Sequence, residues 1–187
     1  MPAEIVLVGN GPSLLYTKLG SRIDSFPEVV RFNGYRLPGY EVHVGSRTTI
    51  WSRWYALQSM QPMEGLGRIW INMPLHERTI EKERIALEML GGYREKAVFV
   101  PEEQVAASLQ LELFGTFEGT KWPSSGLLAV AHSLSVGYVV HLAGFDSWAG
   151  EPFHYYETHD RSNSHHVPGH ERSYLEKLAK AGMIRFL

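Results

Sequence analysis

Short apolar runs alternate with longer stretches in which apolar positions return every three or four residues, and this continues from one end of the chain to the other. The runs predict strands over residues 5–8, 29–32, 49–51, 69–71, 97–100, 138–142 and 183–186. They are mostly β-branched or aromatic, and apolar at consecutive positions, as strands buried on both faces are. The periodic stretches predict helices over about 77–90, 101–114, 125–136 and 169–181. Gly91-Gly92, Gly137 and Gly182 close three of them, because a left-handed closing residue costs glycine least. Leu175 and Leu178 in the last helix, and Ile85 and Met89 in the first, each form an apolar stripe that can face a sheet. Strands alternating with helices predict an α/β fold, a single domain over residues 1–187 with a largely parallel sheet flanked by helices. Residues 144–169 break the pattern with crowded Trp, His, Tyr, Asp, Ser, Asn and Pro, as a long functional loop does.

Composition narrows the function. Lys and Arg total 18 against 20 Asp and Glu, a formal net charge of -2, so nucleic acid is not an expected partner. No apolar run approaches the length of a membrane span, and no integral membrane segment or leader is expected. Cysteine is absent, which excludes disulfides and thiolate chemistry and points to the cytoplasm.

Four clusters carry candidate chemistry. Gly9-Asn10-Gly11-Pro12-Ser13-Leu14 follows the first strand, where loop amides and a helix N-terminus can face an anion. It is either a ligand loop or an ordinary strand-to-helix turn. Leu14 breaks the dinucleotide fingerprint, and no Gly-Lys-Ser/Thr follows to make a P-loop. Arg31-Phe32-Asn33 ends the second strand. Ligands in open α/β sheets bind beyond the carboxyl ends of strands, so Asn10 and Asn33 would share one crevice, reading a base or sugar hydroxyls unless both simply cap turns. Pro123-Ser124-Ser125-Gly126 opens an apolar helix with Ser124 as N-cap, either an anion site helped by Lys121 or a well-capped buried helix.

The fourth cluster is His154-Tyr155-Tyr156-Glu157, then His159, His165, His166 and His170, with Glu171 opening the last helix. Histidine suits general-base work because its reference pKa of about 6.5 lies near neutrality. Neither His-Glu-x-x-His nor Asp-x-Asp is present, so no metal and no cofactor is expected.

Taken in order, the four clusters resemble the sialylmotifs of the animal-type sialyltransferases, glycosyltransferase family 29, and more distantly the bacterial sialyltransferases of family 42. The long motif is matched by Val8-Gly9-Asn10, Ile23-Asp24-Ser25, Arg31-Phe32-Asn33 and Gly45-Ser46-Arg47-Thr48-Thr49. The small motif runs from Pro123-Ser124-Ser125-Gly126-Leu127 to Gly144-Phe145, the third is His154-Tyr155-Tyr156-Glu157, and the last is His166 to Glu171. Residues 54–120 match nothing.

The resemblance implies a Rossmann-like domain, the GT-A-like variant of sialyltransferases, with CMP-sialic acid as donor and a glycan acceptor, its terminal sugar galactose. Asn10, Gly11, Ser13, Asn33, Ser124, Ser125, Gly126, Gly144, Phe145, Tyr155 and Tyr156 would bind the CMP-sugar. His154 would contact its phosphate. His166 would be the general base, with His170 as the alternative and Glu171 completing the catalytic set. The reaction would be inverting and metal-independent. Two departures accompany the match: the family's usual disulfide positions fall on Ile5 and Gly137, and a counterpart of its membrane anchor is not expected. CMP-Kdo as donor, a nucleotide-dependent pyrophosphoryl transferase and a non-catalytic nucleotide-binding module stay open as alternatives.

Overall fold

Ile5, Val6, Leu7 and Val8 are all buried, and successive side chains feed two different cores on opposite faces of a sheet. The computed structural model describes residues 2–62, 64–117, 121–146, 154–156 and 167–187. Among the described residues seven strands form the sheet: β1 Glu4–Val8, β2 Glu28–Phe32, β3 Ile50–Trp54, β4 Arg68–Asn72, β5 Ala97–Val100, β6 Val139–Ala143 and β7 Ile184–Phe186. Every pairing is parallel and the order is β5-β4-β3-β2-β1-β6-β7. All seven runs read from the hydrophobic pattern are therefore strands, within a residue or so at most ends and three at the end of β3, in the α/β, Rossmann-like arrangement expected.

The helices are α1 Gly20–Asp24, α2 Glu41–Val44, α3 Ile80–Glu88, α4 Glu103–Phe114, α5 Ser125–Ser135 and α6 Pro168–Lys180. Ile5, Leu7, Val30, Ile50, Trp70, Val140 and Leu142 pack with α4, α5 and α6 on one face. On the other, Val6, Val8 and Val29 meet α1 and α2, while Trp51, Ile69 and Ile71 meet α3. The chain steps outward from β1 to β5 and then returns to place β6 on the other side of β1. That reversal opens a crevice at the carboxyl ends of β1 and β6.

Two readings of the pattern change. Ile85 is 44% exposed, and Ala86 and Leu90 fill the core in its place. The Thr79 side chain caps α3 by accepting the Lys82 amide, and Ile85, one position before the buried Ala86, turns about 100° outward. The loop after β1 enters a 3-10 turn, Pro12–Tyr16, rather than an α-helix. This turn, α1 and α2 are too short to leave an apolar period in the sequence.

Candidate active site

Glycines bring two loops into direct contact at the carboxyl ends of β1 and β6. The Gly9 and Gly11 amides donate to the Ala143 and Gly144 carbonyls at 2.8 and 3.0 Å. A Cβ on Gly9 would stand 2.3 Å from the Gly144 oxygen, and one on Gly11 2.3 Å from Asp146 Oδ2. The Ser13 amide donates to that same Oδ2 at 2.8 Å, and the Ser13 hydroxyl donates to Oδ1. Of the two readings of this loop, ligand loop or strand-to-helix turn, the turn accounts for the Gly11 and Ser13 amides, which are used between the loops, and no α-helix dipole backs them. The sequence pattern does not single out Asp146. Asp146 stands three residues beyond the end of β6, a position from which the side chain reaches loop amides.

Side chains remain for a ligand. Asn10 Nδ2 donates to the Phe32 carbonyl at 3.2 Å and so ties the end of β1 to the end of β2. Asn33 Oδ1 accepts the Trp54 amide at 2.7 Å, and the Asn33 carbonyl accepts Trp51 Nε1 at 2.9 Å. Among the described residues Asn33 is the one non-glycine with positive φ, +47°, a conformation asparagine tolerates better than most. Both asparagines therefore stand at neighbouring strand ends, each tying its strand to the next through one end of its amide, with Asn10 Oδ1 and Asn33 Nδ2 at the other end.

The α5 turn joins them through Phe145. Its ring meets Phe32 edge-on at 5.9 Å, and a Cβ on Gly126 would lie 3.1 Å from it. Gly126 and Phe145 are small and large partners in one contact. Ser124 caps α5, its side chain accepting the Leu127 amide at 3.3 Å. Its own amide donates to Glu171 Oε1 at 2.8 Å and its hydroxyl to Oε2 at 2.6 Å. Glu171 is 4% exposed, and burial pushes its carboxyl above the ordinary glutamate value although the two Ser124 hydrogen bonds pull it down. Glu171 does from α6 what the third helical residue does in a capping box, a place that Leu127 holds in α5. Ser125 begins the helix beside it.

Residues 154–156 reach the same end of the sheet. The Tyr155 amide donates to the Asn10 carbonyl at 2.9 Å, and its buried ring stands edge-on to Tyr40 at 5.0 Å. The Arg36 amide donates to the Tyr155 hydroxyl at 3.1 Å, and that hydroxyl in turn donates to the Arg36 carbonyl. Burial raises the Tyr155 phenol above its usual value. Tyr155 is an anchor. His154 stacks on Tyr156 with centroids 5.3 Å apart, and the Arg36 guanidinium lies 5.5 Å from the Tyr156 ring.

His166, Glu157, His159 and His165 lie outside the described residues. His170 is exposed on the first turn of α6 with its ring 6.0 Å from Phe114, on the α4 side, whereas the adjacent Glu171 turns inward to Ser124. Among the described residues no three His, Asp or Glu side chains group as metal ligands would.

The rest of the long motif forms a lock of its own. The Asp24 carboxylate accepts the Ser46 and Arg47 amides and the Ser46 hydroxyl at 2.8–3.0 Å. Burial alone would raise Asp24, but these hydrogen bonds hold it below the ordinary aspartate value. Buried Arg31 donates to the carbonyls of Val44 and Arg47 and to the Thr48 hydroxyl. These residues fasten α1 and α2 to the sheet.

Comparison with known proteins places this arrangement. Residues 4–63 and 62–183 match glycosyltransferase family 29 (sialyltransferase). The CMP-N-acetylneuraminate-beta-1,4-galactoside alpha-2,3-sialyltransferase of Homo sapiens is 31% identical, over 96% of this chain and 56% of its own length. The type 2 lactosamine alpha-2,3-sialyltransferase of Rattus norvegicus is 27% identical over 96% of this chain and 62% of its own. The chain thus spans little more than half the length of these relatives. A crystal structure of a mammalian sialyltransferase superposes over 100% of this chain and 69% of its own with a TM-score of 0.77 at 23% identity, which is a likeness of fold. A second, in complex with Gal-beta-1-3GalNAc-ortho-nitrophenol, has a TM-score of 0.76 at 22% identity. With the family matched across nearly all of its residues and a sheet that superposes on its members, this chain belongs to glycosyltransferase family 29, the sialyltransferases.

Proposed function

We propose that this protein transfers sialic acid from CMP-sialic acid to a hydroxyl of a galactose-terminated glycan. The observation that carries the reading is the convergence of Asn10, Asn33, the Ser124–Gly126 turn and His154 at the carboxyl ends of β1, β2 and β6. In this reading the two asparagine amides hold the nucleoside, and the α5 turn and His154 meet the phosphate. Gly11, Ser13, Gly144, Phe145 and Tyr155 shape the crevice from behind.

The chemistry proposed is a single inverting displacement. The acceptor oxygen forms a bond to the anomeric carbon from the side opposite the phosphate, the bond to CMP breaks, and His166 takes the hydroxyl proton. Amides at the α5 N-terminus and His154 stabilise the departing phosphate, so no metal is required. The lack of cysteine favours a reducing compartment, the cytoplasm, as the place of work.

The test is release of CMP from CMP-N-acetylneuraminate in EDTA, with and without a galactose-terminated acceptor. Acceptor-stimulated release supports the reading. Release from CMP-Kdo alone transfers the account to that donor, and CMP binding without any release leaves a nucleotide-binding module.

A further inference from the structure

Asn33, with its positive φ, turns the chain at the end of β2, and three residues later the exposed Arg36 reaches the segment that carries His154. The Arg36 guanidinium lies 5.5 Å from the centre of the Tyr156 ring. The His154 ring stacks on that same tyrosine, with centroids 5.3 Å apart and 27° between the planes. The Tyr155 and Tyr156 rings meet edge to face at 4.9 Å. The Tyr155 hydroxyl exchanges hydrogen bonds with the amide and the carbonyl of Arg36. Residues 36 and 154–156 are thus joined twice, once at the Arg36 backbone and once through its side chain. The backbone clamp fixes where that side chain starts, and the Tyr155 amide, donating to the Asn10 carbonyl at 2.9 Å, fixes the group against the end of β1.

We propose that Arg36 is a positioning residue for the transfer: acting through Tyr156, it holds the His154 ring in the orientation that meets the donor phosphate. The inference rests on the transferase reading for what His154 does, whereas the contacts stand without it. A half-buried imidazole turns about two torsions, and a stack restricts them only as far as the platform beneath is itself held. The Tyr155 ring braces that platform from one direction. The Arg36 guanidinium, planar and more weakly hydrated than an ammonium, holds it by cation–π attraction. Substituting Gln at position 36 keeps the clamp to Tyr155, which uses backbone atoms alone, and removes the cation from the ring. Stabilising a departing phosphate needs a group aimed at the place where charge develops, so a loosened His154 lowers the rate of transfer more than it weakens donor binding.

The experiment reads the ring and the reaction separately. Proton–carbon NMR of the free protein with labelled histidine gives the His154 ring signals, identified by their loss in His154→Ala. Acceptor-stimulated CMP release from CMP-N-acetylneuraminate gives kcat and donor KM. Arg36→Gln should move the His154 signals and lower kcat about two- to fivefold, the contribution of one exposed cation–π contact, with donor KM within about twofold. Its urea midpoint should stay that of wild type. Arg36→Lys, which keeps a cation at the ring, should restore most of the lost rate. In a His154→Ala background Arg36→Gln should lower kcat no further, because its effect runs through the missing ring. Unmoved His154 signals in Arg36→Gln, or the same fall in kcat with and without His154, overturns the inference and leaves the donor reading intact. If wild type releases no CMP, the transferase reading fails and takes the catalytic half of the inference with it, while the spectra still decide whether Arg36 holds the ring.

Discussion

Glu171 and Ser124, on different helices, share two hydrogen bonds: the buried carboxylate of α6 takes both the amide and the hydroxyl of the residue that caps α5. The α5 turn therefore depends on a side chain 47 residues away for its position. Replacing Glu171 with Ala leaves the Ser124 amide without its acceptor and should cost about 1–3 kcal/mol of unfolding free energy, measured in urea. Glu171→Gln keeps an acceptor for the amide and should lose less. In transfer assays the Ala variant should show a raised donor KM, with Gln partly restoring it.

The two shifted carboxyls give opposite pH dependences. Glu171 has a folded value above its unfolded one, so its contribution is greatest at low pH and declines as pH rises through the raised value. Asp24 has a folded value below its unfolded one, so its contribution is present above the ordinary aspartate range and is lost as pH falls through the lowered value. Urea midpoints taken across pH should show Asp24→Asn converging on wild type below about pH 4. Glu171→Gln should remove part of the decline on the alkaline side of the ordinary glutamate value.

Gly11 faces Asp146 and Gly144 so closely that a methyl group cannot enter without moving backbone. Gly11→Ala should destabilise the protein by about 1–3 kcal/mol, as overpacking does. Nothing lies within 4 Å of the Cβ position of Gly34, so Gly34→Ala should change stability by no more than about 0.5 kcal/mol. Thermal unfolding of the pair separates loop-to-loop packing from a general intolerance of alanine.

Tyr155→Phe removes both hydrogen bonds to the Arg36 backbone and keeps the buried ring. Loss of about 0.5–1.5 kcal/mol is expected in urea, with a weaker donor KM effect than Tyr155→Ala, which also removes the contact to Tyr40.

How far the sequence reveals this depends on the range of each interaction. The strands were legible because burial on both faces writes itself into consecutive residues, as at Ile5 to Val8, and α5 was legible because Ser124 and Gly137 mark its ends. Ile85 was misplaced because an exposed isoleucine beside a buried alanine inverts the usual size rule. Ser124 and Glu171 were each singled out, yet nothing local pairs them: the contact exists only after the sheet brings α5 and α6 side by side. Asp146 and the Asp24 lock were missed for the same reason. The first loop reads in sequence as either a ligand loop or an ordinary strand-to-helix turn, and the close contacts of Gly9 and Gly11 are with the chain itself.

In the proposed reaction His166 takes the acceptor proton as the sugar leaves CMP. The most direct test measures CMP release from CMP-N-acetylneuraminate with a galactose-terminated acceptor, comparing wild type with His166→Ala and His170→Ala, alongside CMP affinity by calorimetry. His166→Ala should lower kcat by about 100-fold or more while CMP affinity is kept, and His170→Ala, altering a ring that lies against Phe114, should retain most of the activity. Full acceptor-stimulated release by His166→Ala would contradict it.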